Sequence, residues 1–205
     1  MAPKDKSTKD KILQTATVLF WKQGYKSTSI RDITEKAKVS ISAVNYHFDS
    51  KDKLFKEIIK PLGEESLESV KRTLRSPKSQ EEMMTLLELF FEELLDLLLK
   101  KYEQTILVIR EVDFSKKDMA ESFKLFFEIH LSLVGFFTEA QKNGFVVKTV
   151  APEFISGMIM NHLSNQIKSD EINKRYAGNS LFDPEYRREW ISNTIRIILS
   201  GCFKR

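Results

Sequence analysis

Cysteine is almost absent from this chain of 205 residues. The single copy, Cys202, excludes a disulfide within the chain and is typical of a protein in a reducing cytosol. Long apolar runs are absent too, because the most hydrophobic stretch, LELFFEELLDLLL, has an acidic residue every few positions. No segment approaches the roughly 18 uncharged apolar residues of a membrane span, and the charged start, MAPKDKSTKDK, lacks a signal-type core. We therefore expect a cytoplasmic protein that does not enter a membrane.

The residue patterns of common catalytic sites are also missing. Glycine occurs only seven times, without a phosphate-binding loop. His47, His130 and His162 are not spaced as metal ligands relative to one another or to Cys202. No serine or cysteine lies in a recognisable nucleophile motif. The sequence predicts a protein that is not an enzyme and has no metal site and no cofactor.

Positive charge is concentrated in the first third of the chain. Residues 1–60 hold 13 Lys and Arg against 7 Asp and Glu, whereas the remainder has a small acidic excess. The overall charge of +4 therefore hides a basic region followed by a weakly acidic one. A basic segment of this kind indicates a polyanion as partner.

Residues 28–48, TSIRDITEKAKVSISAVNYHF, predict two short helices joined by a tight turn. Thr28 or Ser29 can cap the first helix, and Ser40 or Ser42 can satisfy free amides at the start of the second. The apolar residues that would pack the two helices are Ile30, Ile33, Ala37, Val39, Val44 and Phe48. This arrangement is typical of a helix-turn-helix.

The second helix has no acidic residue, lysine or arginine between Val39 and Phe48. Its expected outward residues are Ile41, Ser42, Ala43, Asn45, Tyr46 and His47. Short hydroxyl and amide side chains fit a DNA groove and can bond base edges or phosphates. An ordinary structural hairpin is the alternative, but packing explains the apolar positions and leaves the polar ones unexplained.

The segment from Ile12 to Ile59 resembles the DNA-binding domain of the tetracycline-repressor (TetR) family. The runs KILQTATVLFWKQGYKSTSIRDITEKAKVS and AVNYHFDSKDKLFKEII carry the resemblance. It implies an all-α protein, with a three-helix helix-turn-helix domain in residues 1–57 and a helical effector-binding and dimerisation domain in residues 58–205. It also implies a homodimeric transcriptional regulator, more often a repressor, released from a palindromic operator by a small ligand.

Two positions depart from the family pattern. Lys38 stands where the turn usually has glycine, so a residue with a side chain would hold a left-handed conformation at a cost of about 1 kcal/mol. Asn45 stands where the family most often has a tyrosine that contacts phosphate. Asparagine can instead bond adenine through two hydrogen bonds, or reach phosphate through water.

We expect the protein to contact double-stranded DNA through the reading helix and the helix starts beside it. The predicted contact residues are Thr28, Arg31, Ser40, Ser42, Ala43, Asn45, Tyr46, His47 and Lys51. Thr28 and Ser40 would serve mainly as caps, with a phosphate contact through hydroxyl or amide. Lys51 would contact phosphate directly, whereas Arg31 and Asn45 would contribute to sequence preference.

The rest of the chain is predicted to be helical. The expected helices are 7–23, 51–75 with a kink or break at Pro61–Gly63, 80–100, 102–113, 117–143, 152–168 and 184–201. Asn143–Gly144 could mark a hairpin turn, but after a periodic helix Gly144 is predicted to be a C-terminal cap. Residues 169–182 are the most loop-like stretch.

Apolar stripes on the last two helices predict self-association. They include Ile155, Ile159 and Leu163 on the first helix and Trp190, Ile191, Ile195 and Ile198 on the second. Such a pair packs either on its own domain or against a second copy, and we expect these residues between two subunits. In the TetR family, the last two long helices form a four-helix bundle across the dimer.

Phenylalanine is concentrated between residues 80 and 145, where nine of the 15 copies lie. Most of them can be explained as core, but an aromatic-lined cavity between helices would also suit an apolar small molecule. The predicted pocket consists of Phe90, Phe91, Arg110, Phe123, Phe126, Phe127, His130, Phe136 and Phe137. The alternative function is a helical protein–protein interaction module without a small-molecule effector.

Overall fold

The structure, a computed structural model, describes residues 2–111 and 120–200. In this part of the chain the helices are α1 (Ala2–Gln23), α2 (Ile30–Ala37), α3 (Ile41–Phe48), α4 (Lys51–Thr73), α5 (Gln80–Lys100), α6 (Tyr102–Glu111), α7 (Ala120–Lys142), α8 (Pro152–Ala177) and α9 (Pro184–Ser200). The all-α class expected from the sequence is confirmed. None of the described helices is long and apolar enough to span a membrane.

The chain forms two compact units, and α4 contributes to both. The first unit contains α1, α2, α3, the start of α4 and α6, whereas the second contains the rest of α4, α5, α8, α9 and residues 124–142 of α7. The expected division at residue 57 assigns residues 102–111 to the second domain. Leu107 on α6 instead lies fully buried in the core of the first unit, where α6 packs against α1.

The core of the first unit joins one face from each of its helices. Ile12, Ala16 and Phe20 follow the i, i+4 spacing along α1 and are completely buried. The other core residues are Leu19, Tyr25, Ile33, Val44, Phe48, Leu54, Phe55, Ile58, Ile59 and Leu107. Of the six positions predicted to pack the helix-turn-helix, Ile33, Val44 and Phe48 are buried in this core, and Ile30, Ala37 and Val39 are half-buried.

Two helix boundaries differ from the expected ones. α8 continues to Ala177, nine residues beyond the predicted end, and stops at Gly178, whose φ is 74°. The prediction of a loop from residue 169 was wrong because charged residues such as Glu171 and Lys174 form helix well on an exposed face. α4 is continuous through Pro61, so the predicted break does not occur there.

A glycine cap ends α7, as predicted. Gly144 has a φ of 79°, its amide bonds the Gln141 carbonyl at 3.1 Å, and the Phe145 amide bonds the Ala140 carbonyl at 2.9 Å. These are the two bonds of a Schellman motif, in which a residue without Cβ adopts the left-handed conformation at little cost. The hairpin alternative for Asn143–Gly144 is thereby excluded.

Candidate nucleic-acid interface

The start of α2 is fixed by a capping box. The Ser29 hydroxyl accepts a bond from the Asp32 amide at 3.2 Å, and the Asp32 carboxylate accepts one from the Ser29 amide at 2.7 Å. The bond from the Ser29 amide stabilises the charged carboxylate and lowers the pKa of Asp32. Of the two predicted caps, Ser29 takes this role.

The turn between α2 and α3 is made by Lys38 in the left-handed conformation, with φ 55° and ψ 49°. The Lys38 amide bonds the Glu35 carbonyl at 3.3 Å, and the Val39 amide bonds the Thr34 carbonyl at 3.0 Å. The strain predicted for a non-glycine residue at this position is therefore present in the structure.

α3 begins at a serine cap, because the Ser40 hydroxyl accepts a bond from the Ala43 amide at 3.2 Å. Val44 and Phe48 face the core and are buried. These two anchors determine which side of the short helix points outward. Ser40 and Ser42 hydroxyls lie 2.9 Å apart, so both are oriented at the start of the helix.

The outward side of α3 is a mixed polar and aromatic surface. Tyr46 is 77% exposed and Ile41 is 47% exposed. Ser42 and Asn45 are exposed beside them, whereas Ala43 and His47 are half-buried. The His47 and Tyr46 rings lie 5.1 Å apart in an edge-to-face arrangement. The structure thus brings together the residues predicted for the reading surface, and Ile41 adds an apolar contact suitable for a thymine methyl group.

Exposed basic side chains lie on the helices and turns that precede α3 in the first unit. Arg31, near the start of α2, is exposed, as are Lys22, Lys26, Lys36 and Lys38. Their charges are available for contact with phosphate groups. These exposed residues belong to the basic first third of the chain that the sequence indicated.

Thr28 and Lys51 are placed differently from the prediction. The Thr28 side chain is only 1% exposed, and its hydroxyl donates to the Gly24 carbonyl at 2.9 Å. The Lys51 ammonium donates to the carbonyl oxygens of Tyr25 and Thr28, both at 3.0 Å. Both side chains therefore hold the turn between α1 and α2. A hydroxyl contact from Thr28 to phosphate is incompatible with this burial, because the group points into the protein.

A strained turn connects α3 to α4. Asp49 has φ 65° and ψ −45°, and the Ser50 amide bonds the Phe48 carbonyl at 2.7 Å. This is a three-residue turn with positive φ, a backbone conformation that residues other than glycine rarely adopt. The Lys53 ammonium pairs with the Asp49 carboxylate and lowers its pKa. Ser50 then caps α4, since its hydroxyl accepts a bond from the Lys53 amide at 3.2 Å.

The predicted aromatic pocket is largely protein core. Phe90, Phe91, Phe136 and Phe137 are buried in the second unit, and each adjacent pair packs edge to face with ring centres 5.1 Å and 5.4 Å apart. The Phe91 ring also packs on Trp190, at 6.0 Å. Periodicity could not distinguish a pocket wall from a packed core because both require buried aromatic residues.

The remaining pocket residues are dispersed. Phe126 is half-buried and Phe127 is exposed, with its ring 5.6 Å from that of His130. His130 Nδ1 lies 2.7 Å from the Ser156 hydroxyl, which joins α7 to α8. Arg110 belongs to the first unit, where it bonds the Trp21 carbonyl at 3.3 Å, whereas the four buried phenylalanines belong to the second. The Phe123 side chain lies outside the described residues.

An open cleft of about 390 Å³ lies between the end of α4 and the middle of α7. Leu74 and Phe136 provide its apolar lining, and Gly135 leaves one side open. Lys71 and Arg75 lie at its rim, each paired with an acidic residue of the second unit, Glu128 and Glu82 respectively. Phe136 is thus a predicted pocket residue that does border a cleft.

The stripe predicted to form the dimer interface is buried within one chain. Ile155, Ile159, Leu163, Trp190, Ile191 and Ile195 are all buried in the second unit, and Ile198 is half-buried. The six buried residues are therefore covered by their own chain, which contradicts their assignment to the subunit interface, whereas Ile198 is only partly covered. An amphipathic stripe shows that a helix face needs burial, but it does not indicate which surface covers it.

A different side of α8 and α9 exposes large apolar side chains. Phe154, Met158, Ile172 and Tyr176 recur on one face of α8, and all are exposed. Phe182 follows in the connection, and Ile197 on α9 is exposed as well. We call these six residues the α8–α9 apolar face. This face was not predicted from the sequence, because the apolar stripe that is buried in the second unit is more continuous along the two helices.

Part of the first unit matches a known family signature. Residues 12–58 match the family model for bacterial regulatory proteins of the tetR family. The probable HTH-type transcriptional regulator YttP of Bacillus subtilis (strain 168) is 32% identical over 83 residues, which are 39% of this chain and 40% of that protein. The biofilm operon icaADBC HTH-type negative transcriptional regulator IcaR of Staphylococcus aureus (strain Newman) is 36% identical over 52 residues, or 25% of this chain and 28% of that protein. The matched segments therefore span less than half of these two relatives.

A solved structure extends the similarity of fold over nearly the whole chain. The ketosteroid transcriptional regulator KstR2 of Mycobacterium tuberculosis matches with a TM-score of 0.73, covering 96% of this chain and 95% of that one. At 15% identity this match concerns the fold alone. The signature and the helix-turn-helix geometry together identify residues 12–58 as a domain of the tetR family of bacterial regulatory proteins.

Proposed function

We propose that this protein is a homodimeric transcriptional repressor that binds duplex DNA through α3 and is released by a small apolar ligand. The observation that carries the proposal is the exposed surface of α3. A Tyr46 ring exposed beside Ile41 and Asn45 has no role in the core of the first unit. The names of the curated relatives, a transcriptional regulator and a negative transcriptional regulator, support the repressor assignment.

Two variants separate base reading from phosphate contact. Asn45 is exposed on the reading face, whereas Lys36 is exposed near the end of α2. Operator fragments are first selected from sheared genomic DNA by the purified protein, and both variants are then titrated on the selected and on random duplexes. We expect Asn45→Ala to reduce the preference for the selected sequence by about 1–3 kcal/mol.

In the same titrations, Lys36→Ala should weaken binding to both duplexes alike and reduce the salt slope by about one. A wild-type protein that binds neither duplex at low salt would contradict the DNA-binding function. Equal effects of the two variants on sequence preference would contradict the assignment of α3 as the reading helix.

The homodimer is supported by the α8–α9 apolar face. A second copy related by a two-fold axis would bring the same face of both chains together, which satisfies the geometry of an isologous interface. A two-fold dimer also presents two copies of α3 to a palindromic site. The exposed phenylalanine, methionine and isoleucine residues of this face are the types that such interfaces bury.

The ligand is proposed to be an apolar or aromatic organic molecule. KstR2, which shares the fold, is described as a ketosteroid regulator, and steroids are apolar. In this chain, the cleft between α4 and α7 has the volume of a small ligand pocket and combines apolar lining with a basic rim. The ion pairs of Lys71 and Arg75 are exposed, so exchange of one partner for a ligand's acidic group costs little.

Filling the cleft tests its role in ligand binding. A Cβ at Gly135 or at Gly157 would meet no atom within 4 Å, so a side chain can begin at both sites without a clash. Anilinonaphthalene sulfonate, an aromatic anion, serves as the fluorescent probe. We expect Gly135→Leu to abolish probe binding, while the matched control Gly157→Leu on α8 leaves it unchanged. Unaltered probe binding in Gly135→Leu would remove this cleft from the proposal without affecting the DNA-binding assignment.

A further inference from the structure

The turn between α1 and α2 is held by groups from the start of α4. Gly24 begins the turn with φ 87°, and Ser29 ends it as the cap of α2. Within the turn, the Thr28 hydroxyl bonds back to the Gly24 carbonyl at 2.9 Å. The position at which α2 begins, and with it the position of Arg31, depends on this turn.

Lys51 lies at the centre of these contacts. Its ammonium donates to the Tyr25 and Thr28 carbonyls at 3.0 Å each and lies 4.4 Å from the centre of the Tyr25 ring. Two of its three N–H groups are thus bonded to the turn, and the charge is further stabilised by the ring face. Hydrogen bonds from a charged donor are shorter and stronger than neutral ones, so the ammonium is a firm cross-link between α4 and the turn.

The neighbouring residue strengthens the same junction. The Tyr25 hydroxyl donates to the Asp52 carboxylate, and its ring packs against Phe20 and Phe55 with centres 5.3 Å and 4.9 Å apart. Burial, together with the Asp52 carboxylate, raises the pKa of Tyr25, so the phenol stays protonated and keeps donating. Lys51 and Asp52 therefore fix opposite ends of one tyrosine residue, its carbonyl and its hydroxyl.

We propose that Lys51 supports DNA binding as a positioning residue: it holds the α1–α2 turn through the carbonyls of Tyr25 and Thr28 and makes no phosphate contact of its own. The inference rests on the proposed DNA-binding function. It differs from the role that the sequence suggested, in which this lysine binds phosphate. Its ammonium would have to leave two carbonyl oxygens in order to reach the nucleic acid.

Lys51→Met tests the inference, because methionine keeps the apolar stem over the Tyr25 ring and removes the donors. The matched control is Lys36→Met, which removes the same charge from an exposed site. Both variants are titrated with a random-sequence duplex over a range of salt concentrations. We expect Lys51→Met to bind about tenfold more weakly with an unchanged salt slope, and Lys36→Met to lose about 0.9 from the slope.

Amide hydrogen exchange distinguishes positioning from a general loss of stability. Lys51→Met should accelerate exchange at residues 25–30 while the core amides of α1 stay protected. Unchanged affinity per folded molecule would overturn the inference, as would a salt slope reduced by about one. Absence of DNA binding by the wild type would instead refute the proposed function, so the two failures are distinguishable.

A measurement on the wild-type protein avoids any folding defect of the variant. Reductive methylation followed by mass spectrometry reports how accessible each lysine ammonium is. Lys51 should react slowly both with and without the random-sequence duplex, since its ammonium is bonded within the protein. Lys36 should react quickly alone and become protected on the duplex. Protection of Lys51 that appears only with DNA would overturn the inference.

Discussion

At the scale of single residues, the turn of the helix-turn-helix carries measurable strain. Lys38 adopts a left-handed conformation in which a Cβ is unfavourable, and its backbone bonds close α2. Lys38→Gly should raise the free energy of unfolding by about 1 kcal/mol, because glycine adopts this conformation without the steric cost. Urea denaturation measures the change. Lys36→Gly, two residues earlier inside α2, is the control and should lower stability by about 0.5–1 kcal/mol.

A second residue-scale prediction concerns Ser66 on α4. Its hydroxyl is fully buried and has no hydrogen-bond partner among the described residues. A buried hydroxyl without a partner costs free energy, so Ser66→Ala should raise the free energy of unfolding by about 1 kcal/mol. Ser156 is equally buried but bonds His130, so Ser156→Ala should lower stability by a similar amount. A destabilising Ser66→Ala would show that the hydroxyl makes a bond that the structure does not contain.

At the scale of elements, the contact between α8 and α9 has a predicted pH dependence. The His162 ring stacks on Trp190 at 4.9 Å, nearly parallel, and its Nε2 lies 3.2 Å from the Thr194 hydroxyl. Partial burial lowers the pKa of His162 below its usual value. The unfolded chain therefore binds this proton more readily, and the stabilisation is lost as the pH falls below the ordinary histidine value of about 6.5.

His162→Gln tests this dependence through urea denaturation at pH 7.5 and pH 5.5. The wild type should lose stability between these values, and the variant should lose less. The carboxyl groups with lowered pKa, such as Asp32 and Glu93, lose their contribution only at more acidic pH, so they do not obscure the comparison. An equal loss in wild type and variant would assign the acid sensitivity to other groups.

Local chemistry also explains which elements were predictable. α2 and α3 have their caps at Ser29 and Ser40 and their apolar anchors within eight residues each, so neighbouring residues contain the information. The extension of α8 to Ala177 was not predictable in this way because its final turns have no continuous buried stripe, and their apolar residues Ile172 and Tyr176 are exposed. Its helical state depends on the rest of the unit: the Asp170 carboxylate, buried in α8, bonds the Leu181 amide at 2.6 Å and holds the connection to α9.

At the scale of the whole molecule, substitutions at two adjacent residues of α8 test assembly and folding separately. Met158 is exposed on the α8–α9 apolar face, whereas Ile159 is only 1% exposed and lies in the core of the second unit. Met158→Glu should give a folded monomer, because the charge is tolerated in water and costs several kcal/mol inside an interface. Ile159→Glu should unfold the second unit.

Sedimentation and circular dichroism report these two outcomes for the molecule. The wild type is expected to sediment as a dimer at micromolar concentration, and Met158→Glu as a monomer with unchanged helix content. A wild-type monomer would remove the homodimer from the proposed function. A dimer that persists in Met158→Glu would place the subunit contact on another surface.

The sequence by itself determined the helical class, the helix-turn-helix and its outward residues, because caps, turn residues and the 3.6-residue periodicity act over short distances. It did not determine what each buried face is packed against. Three features depend on contacts between residues far apart in the chain. Ile195 is buried within its own chain, Phe91 packs against Trp190, and the Lys51 ammonium donates to two carbonyl groups. Periodicity requires that an apolar face be covered, and only the tertiary structure decides whether the cover is the chain's own core, a ligand or a second subunit.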